Sequence, residues 1–287
     1  MNASQPPKPP ARPGRVVFVS AGPGAADLIT LRGLRHLAEA DVVLADALTD
    51  PGLRALALQA RWLTVGKRGH GPTTPQAHID RLLVLHAQAG QRVVRLKGGD
   101  ASVLGRLEEE IAAVQGAGLH FEIVPGVTAA LAAAADARRP LTRRGRGRSV
   151  TLATAVTADG GKLDPRAAPA GDSVVFYMAG RQLGALARQL RAAGWDPDTP
   201  VCAVSRAGHA DALVSEHRLA HLPQAALLHA GRPTVVTVGC AAQPVHAAPI
   251  DADPAQGGVL AAHAGRVGGS LGRREDAGGR TVPTHCP

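Results

Sequence analysis

The sequence predicts an α/β protein made of two αβ domains, residues 15–145 and 146–244. Three observations predict it: short apolar runs alternate with stretches of helical spacing, glycine-bearing turns follow several of those runs, and an arginine-rich interruption at 138–148 separates two such series. Strands alternating with helices imply a mostly parallel sheet, because parallel neighbours need a crossover between them.

The first series opens with Val16, Val17, Phe18 and Val19, a β-forming run that leads into Ala21-Gly22-Pro23-Gly24 and then a helix-spaced stretch over 28–40. A second short run, 41–45, ends in Asp46; 53–58 reads as helical and 62–65 as the next strand. An amphipathic helix over 78–89 precedes a strand over 92–96 that ends at Lys97-Gly98-Gly99-Asp100. A helix over 107–117 and a strand over 121–124 complete the series. The second series places strands at 149–154, 173–178, 201–205 and 234–239, with a helix over 183–193 and an Asp- and Pro-rich turn over 194–200. The Pro-rich residues 1–14 and the aperiodic residues 245–287 predict a disordered leader and a disordered tail.

Hydrophobic residues at 45% and charged residues at 19% suit a chain with a packed core. The apolar runs are strand-sized, well short of the roughly 20 residues that span a bilayer, and no export-signal-length apolar stretch opens the chain. A cytoplasmic protein with no membrane partner is therefore expected. A formal charge of +9 draws polyanions. Aromatic residues at 2% leave little to stack on bases, so an acidic small molecule is expected in preference to nucleic acid. Cys202, Cys240 and Cys286 form no CxxC pair, and no metal site is expected.

The turns carry the chemistry. Gly22-Pro23-Gly24, between strand and helix, lets backbone approach a nucleotide-like ligand, although Asp27 stands where a dinucleotide fingerprint wants its third glycine. Gly98, Gly99 and Asp100 place open backbone and a carboxylate at the carboxyl end of a strand, where crevices of αβ sheets bind ligands. Asp100 there could accept from an amine or a ribose hydroxyl, or cap a helix. In Pro125-Gly126-Val127-Thr128-Ala129-Ala130, Thr128 can donate its hydroxyl or cap the helix that follows. Three such turns at strand ends outline a pocket.

The segments SAGPGAADLITLRGL, VGKRG, VVRLKGGDASVLGR, IVPGVTAA and RPLTRR, in this order and spacing, resemble the tetrapyrrole methylases, and within them the branch that methylates uroporphyrinogen III. The resemblance covers roughly residues 15–243. It implies a homodimer of two-domain αβ chains with S-adenosylmethionine held in the cleft between the domains. The implied reaction is C-methylation of uroporphyrinogen III at two ring carbons to give precorrin-2, on the way to sirohaem and cobalamin. By motif, Pro23, Gly98, Gly99, Asp100, Val103, Thr128, Ala129, Met178 and Ala207 are the implied cofactor residues, and Asp46 and Lys67 the implied proton acceptor and donor. Read without the family, Asp46 and Lys67 are equally a turn carboxylate and an exposed base. Arg95, Arg106, Arg143 and Arg144 are candidates to grip the substrate's carboxylates, since arginine forks suit them. The chain departs from the family pattern where Ala45 and Ala47 flank Asp46, and where Ala101, Ser102 and Leu104 follow Asp100. Another tetrapyrrole as substrate, or a non-catalytic basic protein that binds RNA or a partner, are the readings these departures leave open.

Overall fold

A computed structural model describes residues 14–66, 74–156 and 168–245. Lys67, the expected leader up to residue 13 and the expected tail from 246 lie outside the described residues.

The first sheet contains β1 (Arg15–Ser20), β2 (Val42–Asp46), β3 (Arg61–Val65), β4 (Arg92–Lys97) and β5 (His120–Val124), ordered β3-β2-β4-β1-β5 and parallel throughout. Its central strands are apolar on both faces because both faces are covered. In β1, Val16 and Phe18 pack on one side with Ile79, Leu83 and Val114, while Val17 and Val19 pack on the other with Leu37 and Leu53. The first side is covered by α2 (Gln76–Gln88) and α3 (Leu107–Gly116). The second side is covered by α1 (Leu31–Ala38) and the 3-10 turn Pro51–Leu56. The helix expected from residue 28 begins at Leu31 because the Thr30 hydroxyl accepts from Gly33 N at 3.1 Å, an N-cap that fixes the first turn.

The second sheet is different in kind. Its strands β6 (Val150–Thr154), β7 (Ser173–Tyr177), β8 (Pro200–Ser205), β9 (Leu213–Arg218) and β10 (Thr234–Gly239) are ordered β6-β7-β10-β8-β9. Only β6 and β7 pair in parallel; the other three pairings are antiparallel. The seven residues between β8 and β9 are too few for a crossover helix, so the chain turns back on itself. Sequence periodicity does not reveal β9. It is an edge strand, Leu-Val-Ser-Glu-His-Arg, with alternating partial burial and no apolar run.

One face of this sheet takes α5 (Leu183–Ala192) through Leu183, Leu186, Ala187 and Leu190. The other takes α4 (Ala129–Asp136), which leaves the end of the first sheet and packs Ala130, Ala132 and Ala133 against Val175, Tyr177 and Val204. Small alanine side chains let that helix lie close, so the carboxyl ends of β1, β4 and β5 come to face the second sheet. Ala207, just past β8, packs in the same cluster.

Candidate functional site

A parallel sheet aims every strand's carboxyl end the same way, and here the three glycine turns are stitched together at that edge. Gly22 and Gly99 exchange backbone hydrogen bonds, Gly99 N donating to Gly22 O at 2.8 Å and Gly22 N to Gly99 O at 3.2 Å. Both have positive φ, +80° and +68°, a region that suits glycine. Asp100 ties this turn to the third one: its Oδ2 accepts from Gly126 N at 2.8 Å and its Oδ1 from Ser102 N at 2.8 Å. The Ser102 hydroxyl also donates to Oδ1, at 2.5 Å. Gly126 sits so close to β1 that an added Cβ would lie 2.5 Å from Ser20 Cβ. Burial raises the Asp100 carboxyl, but the hydrogen bonds from Ser102 and Gly126 outweigh it and hold the group below the ordinary carboxylate range.

Asp100 therefore caps no helix. It forms an Asx-type turn with Ser102 and a strut to Gly126. Thr128 occupies the N-cap position of α4 yet makes no side-chain cap bond. Its hydroxyl lies 2.7 Å from the Tyr177 hydroxyl instead, a bridge between the first sheet's edge and the second sheet. Tyr177 is a participant that the sequence reading misses: it ends an apolar strand and carries no motif signal of its own. Burial pushes its phenol up.

The second sheet reaches the edge at two points. Met178 follows β7 with φ +56° and a half-exposed side chain, and Arg206, before Ala207, follows β8 with φ +52°. β7 and β8 both run antiparallel to β10, so their carboxyl ends share one side of the sheet. The loop after β8 touches the first turn directly: Ala25 N donates to Gly208 O at 2.9 Å, and an added Cβ on Gly24 would meet Gly208 O at 2.2 Å. Gly208 N in turn donates to Asp136 Oδ2 of α4 at 2.8 Å. Val103 and Ala129 pack with Ala207 and Tyr177 in one apolar cluster. Pro23, Gly98, Gly99, Asp100, Val103, Thr128, Met178 and Ala207 thus sit on loops, and Ala129 is the first residue of α4; these segments meet where the two sheets face each other.

Within that ring Gly98 is exposed, and an added Cβ there meets nothing within 4 Å. Bare peptide facing open space, beside a hydroxyl pair and an apolar wall, fits a nucleoside-like group whose base and sugar need backbone partners and a greasy face.

Asp46 ends β2 beside this opening. Its Oδ1 accepts from Arg95 Nη2 at 2.6 Å and its Oδ2 from Gly98 N at 3.3 Å, with the side chain 30% exposed. Arg95 is not free to grip a substrate carboxylate. It is buried, and its Nε donates to Glu110 Oε1 at 3.0 Å while Nη1 donates to the carbonyls of Leu44 and Leu96. Arg143 is likewise occupied, by the carbonyls of Gln243 and Pro244, and Arg106 pairs with Glu109.

Open backbone at the carboxyl ends of parallel strands, closed from above by a second sheet, defines a ligand-binding αβ cleft. The family is shown by sequence: a model of the Tetrapyrrole (Corrin/Porphyrin) Methylases matches residues 15–223, and the chain belongs to that family. The uroporphyrinogen-III C-methyltransferase of Pseudomonas aeruginosa is 44% identical over 68% of this chain and 80% of its own length. The siroheme synthase of Edwardsiella ictaluri is 42% identical over 67% of this chain but only 42% of its own length. Among solved structures, the uroporphyrin-III C-methyl transferase of Thermus thermophilus complexed with S-adenyl homocysteine is 36% identical with a TM-score of 0.70, over 79% of this chain and 97% of that one.

Proposed function

We propose that this chain transfers methyl groups from S-adenosylmethionine to two ring carbons of uroporphyrinogen III, yielding precorrin-2. The observation that carries the reading is the exposed Gly98 peptide flanked by Asp46 and by the joined turns of β1, β4 and β5. In this reading Pro23, Gly98, Gly99 and Asp100 form the floor of the cofactor site, Val103, Thr128 and Ala129 one wall, and Met178 and Ala207 the side contributed by the second sheet. S-adenosylmethionine supplies a sulfonium methyl to an electron-rich carbon.

The protein's work is to hold the two partners in line, since positioning alone removes several kcal/mol from such a barrier. Asp100 serves by rigidity: spent on Ser102 and Gly126, it fixes the turn that presents Gly98. Asp46 takes the proton that the cationic macrocycle must lose after methyl transfer, and Lys67 returns one elsewhere on the macrocycle. The arginine excess, 32 Lys and Arg against 23 Asp and Glu, favours a polycarboxylate arriving at the cleft. The same reading takes the chain as a cytoplasmic homodimer whose cofactor lies between domains 15–145 and 146–244. No described helix is long and apolar enough to cross a membrane.

The test is anaerobic incubation of the purified chain with S-adenosylmethionine and freshly generated uroporphyrinogen III, followed by mass spectrometry. Products heavier by two methyl groups are expected. An unmodified substrate, with the methyl donor bound, would contradict the assignment of substrate.

A further inference from the structure

Behind Asp46 lies a chain of charges that the fold alone does not need. β4 runs Val93, Arg95, Lys97 along one face, so two cations take the last core positions of a strand whose first position on that face is buried valine. Arg95 and Lys97 side chains are each 3% exposed, and Glu110 of α3, which both contact, is 0% exposed. Lys97 Nζ donates to Glu110 Oε2 at 3.0 Å, on the opposite oxygen from Arg95. Gln76 at the start of α2 adds a bond to Glu110 Oε1 at 3.3 Å and one to Asp80 Oδ1 at 2.9 Å.

Three charges removed from water cost more than their mutual attraction returns unless geometry is very good, and apolar residues often serve stability as well. The arrangement here is directional. Arg95 has Nε on Glu110, Nη1 on two carbonyls and Nη2 on Asp46, so its guanidinium plane is fixed and Asp46 is held in one orientation toward Gly98 N. Asp46 is the one member of the quartet with substantial exposure, and it faces the cleft. The charged groups around it are Arg95 and Lys97 from β4 and, beyond them, Glu110 from α3 and Asp80 from α2; β3 approaches it with the Gly66 backbone. Burial opposes charge on both cations. Asp46 and Glu110 overcome that for Arg95 and hold it above its ordinary range, whereas Lys97, repelled by Arg95, stays below its own.

We propose that Glu110 and Lys97 are positioning residues for Asp46, acting through Arg95: Glu110 offsets the Arg95 charge that opposes a proton on Asp46, and Lys97 limits that offset. The inference rests on the reading of Asp46 as the proton acceptor. It predicts opposite effects from two buried substitutions that touch neither substrate nor cofactor. Glu110→Gln leaves the Arg95 charge uncompensated, so kcat falls about tenfold and the acid limb of the pH–rate profile moves to lower pH. Lys97→Met leaves Glu110 uncompensated, so the same limb moves to higher pH.

The experiment is the pH–kcat profile of the full chain with S-adenosylmethionine and uroporphyrinogen III for the wild type, Glu110→Gln, Lys97→Met, Asp46→Asn and the Asp46→Asn/Glu110→Gln double variant. Circular dichroism establishes folding. The expected result is limbs displaced in opposite directions, KM unchanged within about twofold, and less than a twofold effect of Glu110→Gln once Asp46 is already Asn. Equal losses in both backgrounds with an unmoved limb would make the quartet merely structural and overturn the proposal. Should Glu110→Gln fail to fold, the upward limb of Lys97→Met decides alone. A fully active Asp46→Asn would instead bring down the proton-acceptor reading itself.

Discussion

The two sheets contribute to the cleft unequally. The first, parallel throughout, delivers the ends of β1, β2, β4 and β5 to one edge, and with them bare glycine backbone, the Asp100 strut and the Asp46 carboxylate. The second, mostly antiparallel, ends β6, β7 and β8 on one side and β9 and β10 on the other; from the first group it supplies the Tyr177 hydroxyl, Met178 and the Ala207 loop. A parallel sheet concentrates polar machinery because every strand ends on one side, whereas an antiparallel sheet spreads its strand ends over two. The first sheet is accordingly the more polar floor, and the second a lid with fewer polar groups.

The largest effect that would sharpen this contrast is at Asp46. Asp46→Asn should cut turnover about 100-fold or more, the range for loss of a positioned base, while calorimetry shows S-adenosylhomocysteine bound as in the wild type. A comparable loss from any single change in the second sheet would blur the division between floor and lid.

Gly126→Ala is expected to destabilise the chain by about 1–3 kcal/mol, because the new methyl meets Ser20 Cβ at 2.5 Å and the Ser20 carbonyl oxygen at 3.1 Å. Denaturant unfolding checks it; an unchanged midpoint would mean that the third turn stands away from β1.

The sheets should also part company with pH. His229 is buried at the edge of the second sheet between Ser205 Oγ, 2.5 Å from Nδ1, and Ser215 Oγ, 2.7 Å from Nε2; His217 meets the same Ser215 at 2.8 Å. Burial lowers both imidazoles. A depressed histidine contributes stability that is fully present above its unfolded value, about 6.5, and is lost as pH falls through the lower folded value. Asp100 is depressed too, but from the carboxylate range, so its contribution persists until pH falls below about 4. Hydrogen exchange at pH 7.5 and 5.5 should therefore show β8 and β9 opening more readily at the lower pH, with β1 and β4 unchanged after correction for intrinsic exchange. Uniform loosening would contradict the assignment.

How much of this is legible in the sequence follows from the same contrast. The first sheet announces itself because doubly buried strands read as apolar runs and their crossovers as helical spacing; Val16–Val19 and the stretch before Gly98 are unmistakable. β9 is not legible, since half its residues face water. The run of alanines in α4 has no amphipathic contrast to mark it as the helix that joins the sheets. The glycine turns can be read as a pocket, but not that Asp100 is consumed by backbone or that Thr128 bonds Tyr177, because both depend on partners 26 and 49 residues away. Arg95 is the instructive miss. Next to a ligand motif it reads as a substrate grip, and only the packing of α3 reveals Glu110 behind it.

The smallest expected effect is at the bridge between the sheets. Tyr177→Phe removes one hydrogen bond from Thr128 and should cost about 1 kcal/mol in thermal or denaturant unfolding, with the methyl donor still bound. A loss several times larger would mean that the two sheets are held together chiefly by this pair.

The central claim is that the cofactor rests against bare backbone at the end of β4. Gly98→Val tests it most directly, since its side chain would project into space that no protein atom fills. Calorimetric titration of S-adenosylhomocysteine into wild type and variant should show affinity falling more than tenfold with the unfolding midpoint unchanged. Equal affinity in the two would place the cofactor elsewhere and contradict the account.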